Sequence, residues 1–218
     1  MTRIVDLTQP FGLDANVPAG VSGPTIERIR TFAKDGRNSS RITLAAHTGT
    51  HLDAPWHSID TGLDIQGIGM DRLIGPAVVW AVPMTGEGRA IDRPDLEAAS
   101  PELEPGDAVL ISTGWARLYG TEPYKQRRPW LTAEAAAWLR DHGARLVGID
   151  FASPEQRPDV SPPTPHFAVH HELLDHGVLI VENVADLSSI EGQRVRLFVA
   201  VVPVKAIDGF PARVFAEV

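Results

Sequence analysis

The sequence predicts an α/β fold with strands in excess. Three observations lead there. Short apolar runs of strand length are interleaved with helical patterns along the chain. The 218 residues suit one large domain over residues 1–218. Apolar residues make up 43% and charged residues 22%, ordinary globular values that argue against long disorder.

Ile4–Leu7 reads as a short strand closed by Gln9-Pro10, and Asp14–Pro24 as an irregular loop. Thr25–Ala33 alternates only in part, with Ile29 out of phase, which predicts a bulged strand. A turn over Lys34–Ser40 leads into Arg41–Ala46, a strand with Ile42, Leu44 and Ala46 on one face. Pro76–Pro83, Ala108–Ser112, Leu146–Ile149 and Val178–Val181 are buried-strand patterns. Arg93–Ala99 is a short helix with Pro94 in its first turn. Thr132–His142 is the clearest helix, with Thr132 as N-cap and Gly143 as its stop. Phe167–Asp175 is a second, stopped by Gly177. Gly114–Trp130 reads as polar loop and Ser153–Pro165 as proline-rich loop. Arg194–Val204 is a long alternating strand that Phe210–Phe215 pairs near.

The formal net charge of -8 disfavours nucleic acid or an anionic membrane as partner. The longest apolar run, near Leu197–Val202, is far too short to span a bilayer. The N-terminus lacks the basic segment and apolar run of a signal peptide, so a cytoplasmic protein is expected. With no cysteine, any metal must be held by His, Asp or Glu.

Such residues crowd one place. Ala46–His57 reads AHTGTHLDAPWH, putting His47, His51, Asp53 and His57 within eleven positions of a chain with eight histidines. A helix would set His47 and His51 on one face, but Gly49 between threonines and the nearby Pro55 oppose it. A loop leaving a strand end is expected instead, with Gly49 turning the backbone sharply. His47, His51 and Asp53 can supply the three protein ligands of a catalytic metal site, and a carboxylate such as Asp53 can bridge two metals. His57 is either a fourth ligand or a free imidazole for proton transfer. Trp56 either lines the pocket against an aromatic substrate or is an ordinary buried tryptophan. Downstream, His170 on its helix and Glu182 at a strand end can meet; the bland reading of His166, His170, His171 and His176 is a solvated helix face, with His171 and His176 the surface members. Asp150, at another strand end, either orients a ligand or braces a loop.

The run from His47 to His57 matches HxGTHxDxPxH, and the chain thereby resembles the cyclase-like metal-dependent hydrolases, the family of bacterial kynurenine formamidase and isatin hydrolase. The resemblance continues through Asp6-Leu7-Thr8, Pro105–Trp115, Gly148–Ser153, His170–Asn183, and Asp208-Gly209 with Pro211 and Arg213. It implies a swivelling β/β/α domain with a mixed sheet, working as a homodimer or homotetramer. It implies a divalent metal, one or two per subunit, zinc or else manganese. His47, His51 and Asp53 would hold the first ion, Asp53, His170 and Glu182 the second, with His57 as acid/base. The expected reaction is hydrolysis of an amide, formamide or lactam bond in a small molecule like N-formylkynurenine or isatin. Alternatives are a lactone or ester hydrolase, a cyclase, or a non-catalytic metal-binding relative. Ser58 stands where many relatives carry an aromatic residue, and Val17–Gly20 lacks a tryptophan they carry, which touches substrate choice. The pocket itself is expected from Phe11–Gly23, Gly62–Gly75 and Arg117–Trp130.

Overall fold

The histidine-rich stretch contains the strand that closes a barrel. A computed structural model describes residues 2–162 and 164–218. In chain order the elements are β1 (Ile4–Asp6), β2 (Thr25–Arg30), α1 (Phe32–Asp35), β3 (Ser39–Thr43), β4 (His51–Asp53), α2 (Met70–Leu73), β5 (Ile74–Ala81), β6 (Ala90–Ile91), α3 (Arg93–Glu97), β7 (Ala108–Ser112), α4 (Glu122–Gln126), β8 (Trp130–Leu131), α5 (Ala133–Asp141), β9 (Leu146–Ile149), α6 (Ala168–Leu174), β10 (Leu179–Glu182), β11 (Arg194–Val201) and β12 (Gly209–Glu217). Strands run in the order β1-β12-β11-β5-β7-β9-β10-β4, and β4 pairs back onto β12. Seven strands thus close on themselves, and β1 extends β12 outside the ring.

The sheet is mixed, as expected. β5, β7, β9 and β10 are parallel neighbours; β4, β11 and β12 pair antiparallel. β7, β9 and β10 are buried end to end and β5 over Ala77–Trp80, which is why they read as continuous apolar runs. Alternate residues still go to different cores. Ala77, Val79, Leu110, Leu146 and Val181 join the barrel interior with Leu52, Leu197 and Val214. Val78, Trp80, Ile111, Val147 and Ile180 face outward against Leu139 of α5 and Leu173 of α6. The period of two along each strand therefore sets a barrel core and a helix-facing layer.

Several boundaries differ from expectation. The strand at Thr25 ends at Arg30 after a register shift between Arg28 and Arg30, and α1 follows it. Arg41–Ala46 shortens and shifts to Ser39–Thr43. The Ala46–His57 loop contains β4 and a 3-10 turn over Pro55–His57. Three residues are too few for a visible period, so the pairing partners define this strand. Gly114–Trp130 contains a 3-10 turn over Trp115–Leu118, then α4 and β8. The Arg194 strand stops at Val201 rather than Val204. No helix among the described residues is long and apolar enough to cross a membrane.

Leu52 is fully buried between β10 and β12. Leu52→Ala is expected to destabilise the fold by about 2–5 kcal/mol. Urea unfolding followed by tryptophan fluorescence measures this, and a loss under about 1 kcal/mol would mean that the closing strand is not a packed element.

Candidate metal centre

Because Leu52 points into the barrel, His51 and Asp53 point out of it, to the side where α6 packs. Glu182 lies opposite His51 across the β4–β10 ladder. Facing pairs of this kind bring side chains together. The last contributor, His170, comes from the first turn of α6.

Each ring is oriented by a partner on its far nitrogen. His51 Nδ1–H donates to the Gly49 carbonyl at 2.8 Å, which aims Nε2 at Asp53 Oδ1 (3.2 Å) and Glu182 Oε2 (3.5 Å). Gly49 reaches this position at φ +64°, in the left-handed region, as expected of a sharp turn. His170 Nδ1–H donates to Glu155 Oε1 at 2.8 Å, which aims Nε2 at Glu182 Oε1 (3.6 Å) and Asp53 Oδ2 (3.8 Å). The same Glu155 oxygen accepts the backbone N–H groups of Val169 and His170, so it caps α6 as well. His47 lies between two carboxylates, Asp53 Oδ1 at 2.7 Å from Nδ1 and Asp208 Oδ2 at 3.0 Å from Nε2. Its ring rests on the backbone of Gly209, where a Cβ would fall 2.6 Å from His47 Cε1. His57 Nδ1–H donates to Asp208 Oδ2 at 2.9 Å, and its ring lies 4.1 Å from His47 and 5.4 Å from His170.

Among the described residues, three groups have ligand atoms close enough to hold one ion: His47, His51 and Asp53; Asp53, His170 and Glu182; and His47, His57 and Asp208. Asp53 belongs to the first two. His51 Nε2 and Asp53 Oδ2 are buried and lack a hydrogen-bond partner among the described residues. A buried, unpaired polar atom on each, inside a set of imidazoles and carboxylates, fits a cation.

The charges are consistent with that. Burial works against a charged His47, yet the Asp53 carboxylate and the hydrogen bonds that the ring donates to Asp208 and Asp53 raise its pKa to about 10. Burial likewise opposes charge on His170, but Glu155 and Glu182 raise it to about 9. Burial would raise Asp53, and the His51 and His47 rings instead hold it well below the usual carboxylate range. Hydrogen bonds from His47 and His57 hold Asp208 low. Protonated rings thus occupy the positive role among the carboxylates.

Other expected residues fall elsewhere. Asp150 accepts from the backbone N–H groups of Thr113, Gly114 and Trp115 and from the Thr113 hydroxyl, so it braces a loop. Burial pushes it up to about 6 despite those bonds. Trp56 is neither buried nor on the cavity beside the centre; it is 36% exposed. His171 and His176 are on the surface, as read from the sequence. The cavity, about 410 Å³, is lined by Ser153, Glu155–Pro158 and Thr164–Phe167 with His170. The three loops expected to form the pocket contribute none of its lining among the described residues. Asp208, Glu155 and Gly209 went unassigned in the sequence. Asp208-Gly209 carried a signal, as the expected start of the C-terminal strand; Glu155, in a proline-rich loop, carried none.

The fold is that of isatin hydrolase A from Labrenzia aggregata, with a TM-score of 0.86 at 22% identity, covering 100% of this chain and 94% of that one. A kynurenine formamidase from Bacillus cereus is 28% identical over 211 residues, 96% of this chain and 94% of its own length. One from Erythrobacter litoralis is 32% identical over 175 residues, 79% of this chain and 72% of its own. The family model described as "Putative cyclase" matches residues 5–156, and the chain belongs to that family. The matched span takes in His47–His57 and Glu155 and ends ahead of His170, Glu182 and Asp208.

Metals bind imidazole only in its neutral form, so ion uptake near pH 8 must displace protons from His47 and His170. The raised pKa values favour the charged rings of the metal-free protein; that stabilisation is full below 6.5 and lost as pH rises through about 9 and 10. Calorimetric titration of metal-free protein with zinc chloride, in buffers of different ionisation enthalpy, is expected to report net proton release that shrinks as pH approaches 9. Heats independent of the buffer would show rings already neutral.

Proposed function

We propose that residues 1–218 form one metal-dependent hydrolase domain that cleaves the C–N bond of an amide, formamide or lactam in a small molecule. N-formylkynurenine and isatin are the type substrates, after the relatives' names. The observation carrying this reading is the convergence of His51 Nε2 and Asp53 Oδ2, buried and unpaired, on further imidazoles and carboxylates.

In this reading His47, His51 and Asp53 hold one divalent ion, and Asp53, His170 and Glu182 a second. The oxygen and nitrogen donors suit zinc or manganese. Such an ion, when bound, supplies an activated water and polarises the scissile carbonyl. The chain's own contribution is proton transfer and positioning. Asp208 holds His57 Nδ1–H, which leaves Nε2 to take a proton from the attacking water and return it to the leaving nitrogen. Phe167, 5.4 Å from the His57 ring and 4.7 Å from His170, gives the centre an apolar wall. The grouping of His47, His57 and Asp208 is the weaker ion site, because the Asp208 side chain is 39% exposed while the other two groups are largely buried.

Elemental analysis of purified protein is expected to find zinc or manganese. His57→Ala is expected to keep that metal and lose on the order of a hundredfold in turnover of N-formylkynurenine, isatin or a cyclic imide. Full activity in chelated, metal-free protein would overturn the mechanism. Loss of metal in the variant would make His57 a ligand.

The reading takes the protein to act in the cytoplasm, on a small molecule, with neither nucleic acid nor membrane as partner; the net charge of -8 supports this. It also takes the working form to be a homodimer or homotetramer. Supporting this is the β2–β3 hairpin, where the register partners Ile26 and Ile42 are 47% and 52% exposed and Phe32 beyond them is 71% exposed. An apolar patch of this kind suits burial against a second copy. Ile42→Asp is expected to reduce the mass measured by light scattering to that of a monomer, and an oligomer of unchanged mass would remove the hairpin from the interface.

A further inference from the structure

The cavity beside His170 has an arginine on its wall that the proposed chemistry does not use. Arg157 is 7% exposed. Its guanidinium meets Glu87 through Nη2 at 2.9 Å, and Asp159 approaches Nε at 3.4 Å without forming a hydrogen bond. Both acids are mostly exposed, at 61% and 63% of their side chains, so these pairs lie on the solvent side. Nε and Nη1 are buried and have no hydrogen-bond partner among the described residues. The Trp130 ring lies 5.3 Å from the guanidinium carbon and limits its movement.

A buried guanidinium with idle N–H groups costs stability unless something completes it. Surface ion pairs do not explain the expense, because exposed pairs contribute little. Nη1–H leaves the opposite edge of the guanidinium from Nε–H, and a carboxylate oxygen can complete it with one charge-assisted hydrogen bond. The same cavity reaches His170, a ligand in the proposed centre. We infer that Arg157 is an anion subsite of this cavity, which selects substrates bearing a carboxylate set apart from the scissile carbonyl. The inference rests on the proposed hydrolase reading for the position of the reacting bond. The subsite itself rests on the arginine and the cavity alone.

Two measurements separate the two. The first is calorimetric binding of 4-aminobenzoate and of aniline to the metal-loaded protein. Wild type is expected to bind 4-aminobenzoate at least about tenfold more tightly than aniline, and Arg157→Met to erase that difference. Arg157→Lys, which keeps the charge and loses the planar guanidinium, is expected to fall between. Glu87→Gln, which removes only the surface pair, is expected to keep the wild-type preference. The second measurement is turnover of 4-formamidobenzoate against formanilide. Arg157→Met is expected to raise KM for the first by about tenfold and leave kcat/KM for the second within about twofold. Equal binding of the two ligands by wild type, or equal losses on both substrates in the variant, would overturn the subsite. A wild type that prefers 4-aminobenzoate yet hydrolyses neither formamide supports the subsite and counts against the amide hydrolase reading.

Discussion

Four carboxylates, Asp53, Glu182, Asp208 and Glu155, gather around four buried or half-buried imidazoles, and the rest of the centre follows from their repulsion. Like charges this close cannot all stay ionised in a low-dielectric setting without cations among them. In the metal-free chain the cations are protonated rings: the carboxylates raise His47 to about 10 and His170 to about 9, and they raise His51 as well. A divalent ion can take the same role only by displacing protons. Asp53 is the pivot, because it touches His47 and His51 and faces His170 from one buried carboxyl group.

That carboxyl is held by the barrel's closure. β4 has only three residues, yet each pairs on both sides: His51 with Glu182 and Pro211, Leu52 with Val181 and Phe210, Asp53 with Ile180 and Gly209. A one-residue slip would turn Leu52 toward the helices and both His51 and Asp53 into the barrel core. Burial of Leu52 therefore selects the register that exposes His51 and Asp53 to α6. Closure also places Asp208 next to the strand, since the Ala54 N–H donates to its carbonyl at 2.9 Å. His57 and His47 share Asp208 because one ladder holds both chain segments.

Much of this was legible in the sequence, for reasons particular residues show. Two of the parallel strands are legible to the residue because both of their faces are buried and their composition is uniform: Ala108–Ser112 and Leu146–Ile149 coincide with β7 and β9, whereas Pro76–Pro83 falls two residues beyond β5, whose ends are only partly buried. Thr132 accepts from Ala135 N–H at 3.2 Å, as its N-cap role required. His47, His51, Asp53 and His57 were visible because they crowd one stretch, and the structure brings His170 and Glu182 to them. The short strand β4 was not legible, since three residues carry no period and only remote partners define it. Asp208 and Glu155 were missed for a related reason. Each acts on a ring more than ten residues away, and no local pattern marks an acceptor whose donor is brought by tertiary folding. Trp56 was placed by its neighbours in sequence, but the 3-10 turn at Pro55 directs it to solvent.

The pocket loop and the centre meet at Glu155. Its carboxylate fixes His170, while Arg128 grips the carbonyls of Ser153 and Glu155 from beneath. Burial lowers the Arg128 pKa to about 10, still far above neutrality, and Glu182 and Glu155 favour its charge. The loop is thus anchored at its start by a buried cation and at its end by the α6 cap. Between those anchors lie Gln156, Arg157, Pro158 and Thr164–Phe167, the residues that face the cavity. Their side chains can change what the cavity accepts without moving His170, because Glu155 sets the position of that ring. In the proposed centre, substrate selection and the position of His170 would therefore be carried by adjacent residues of one loop, yet held by separate bonds.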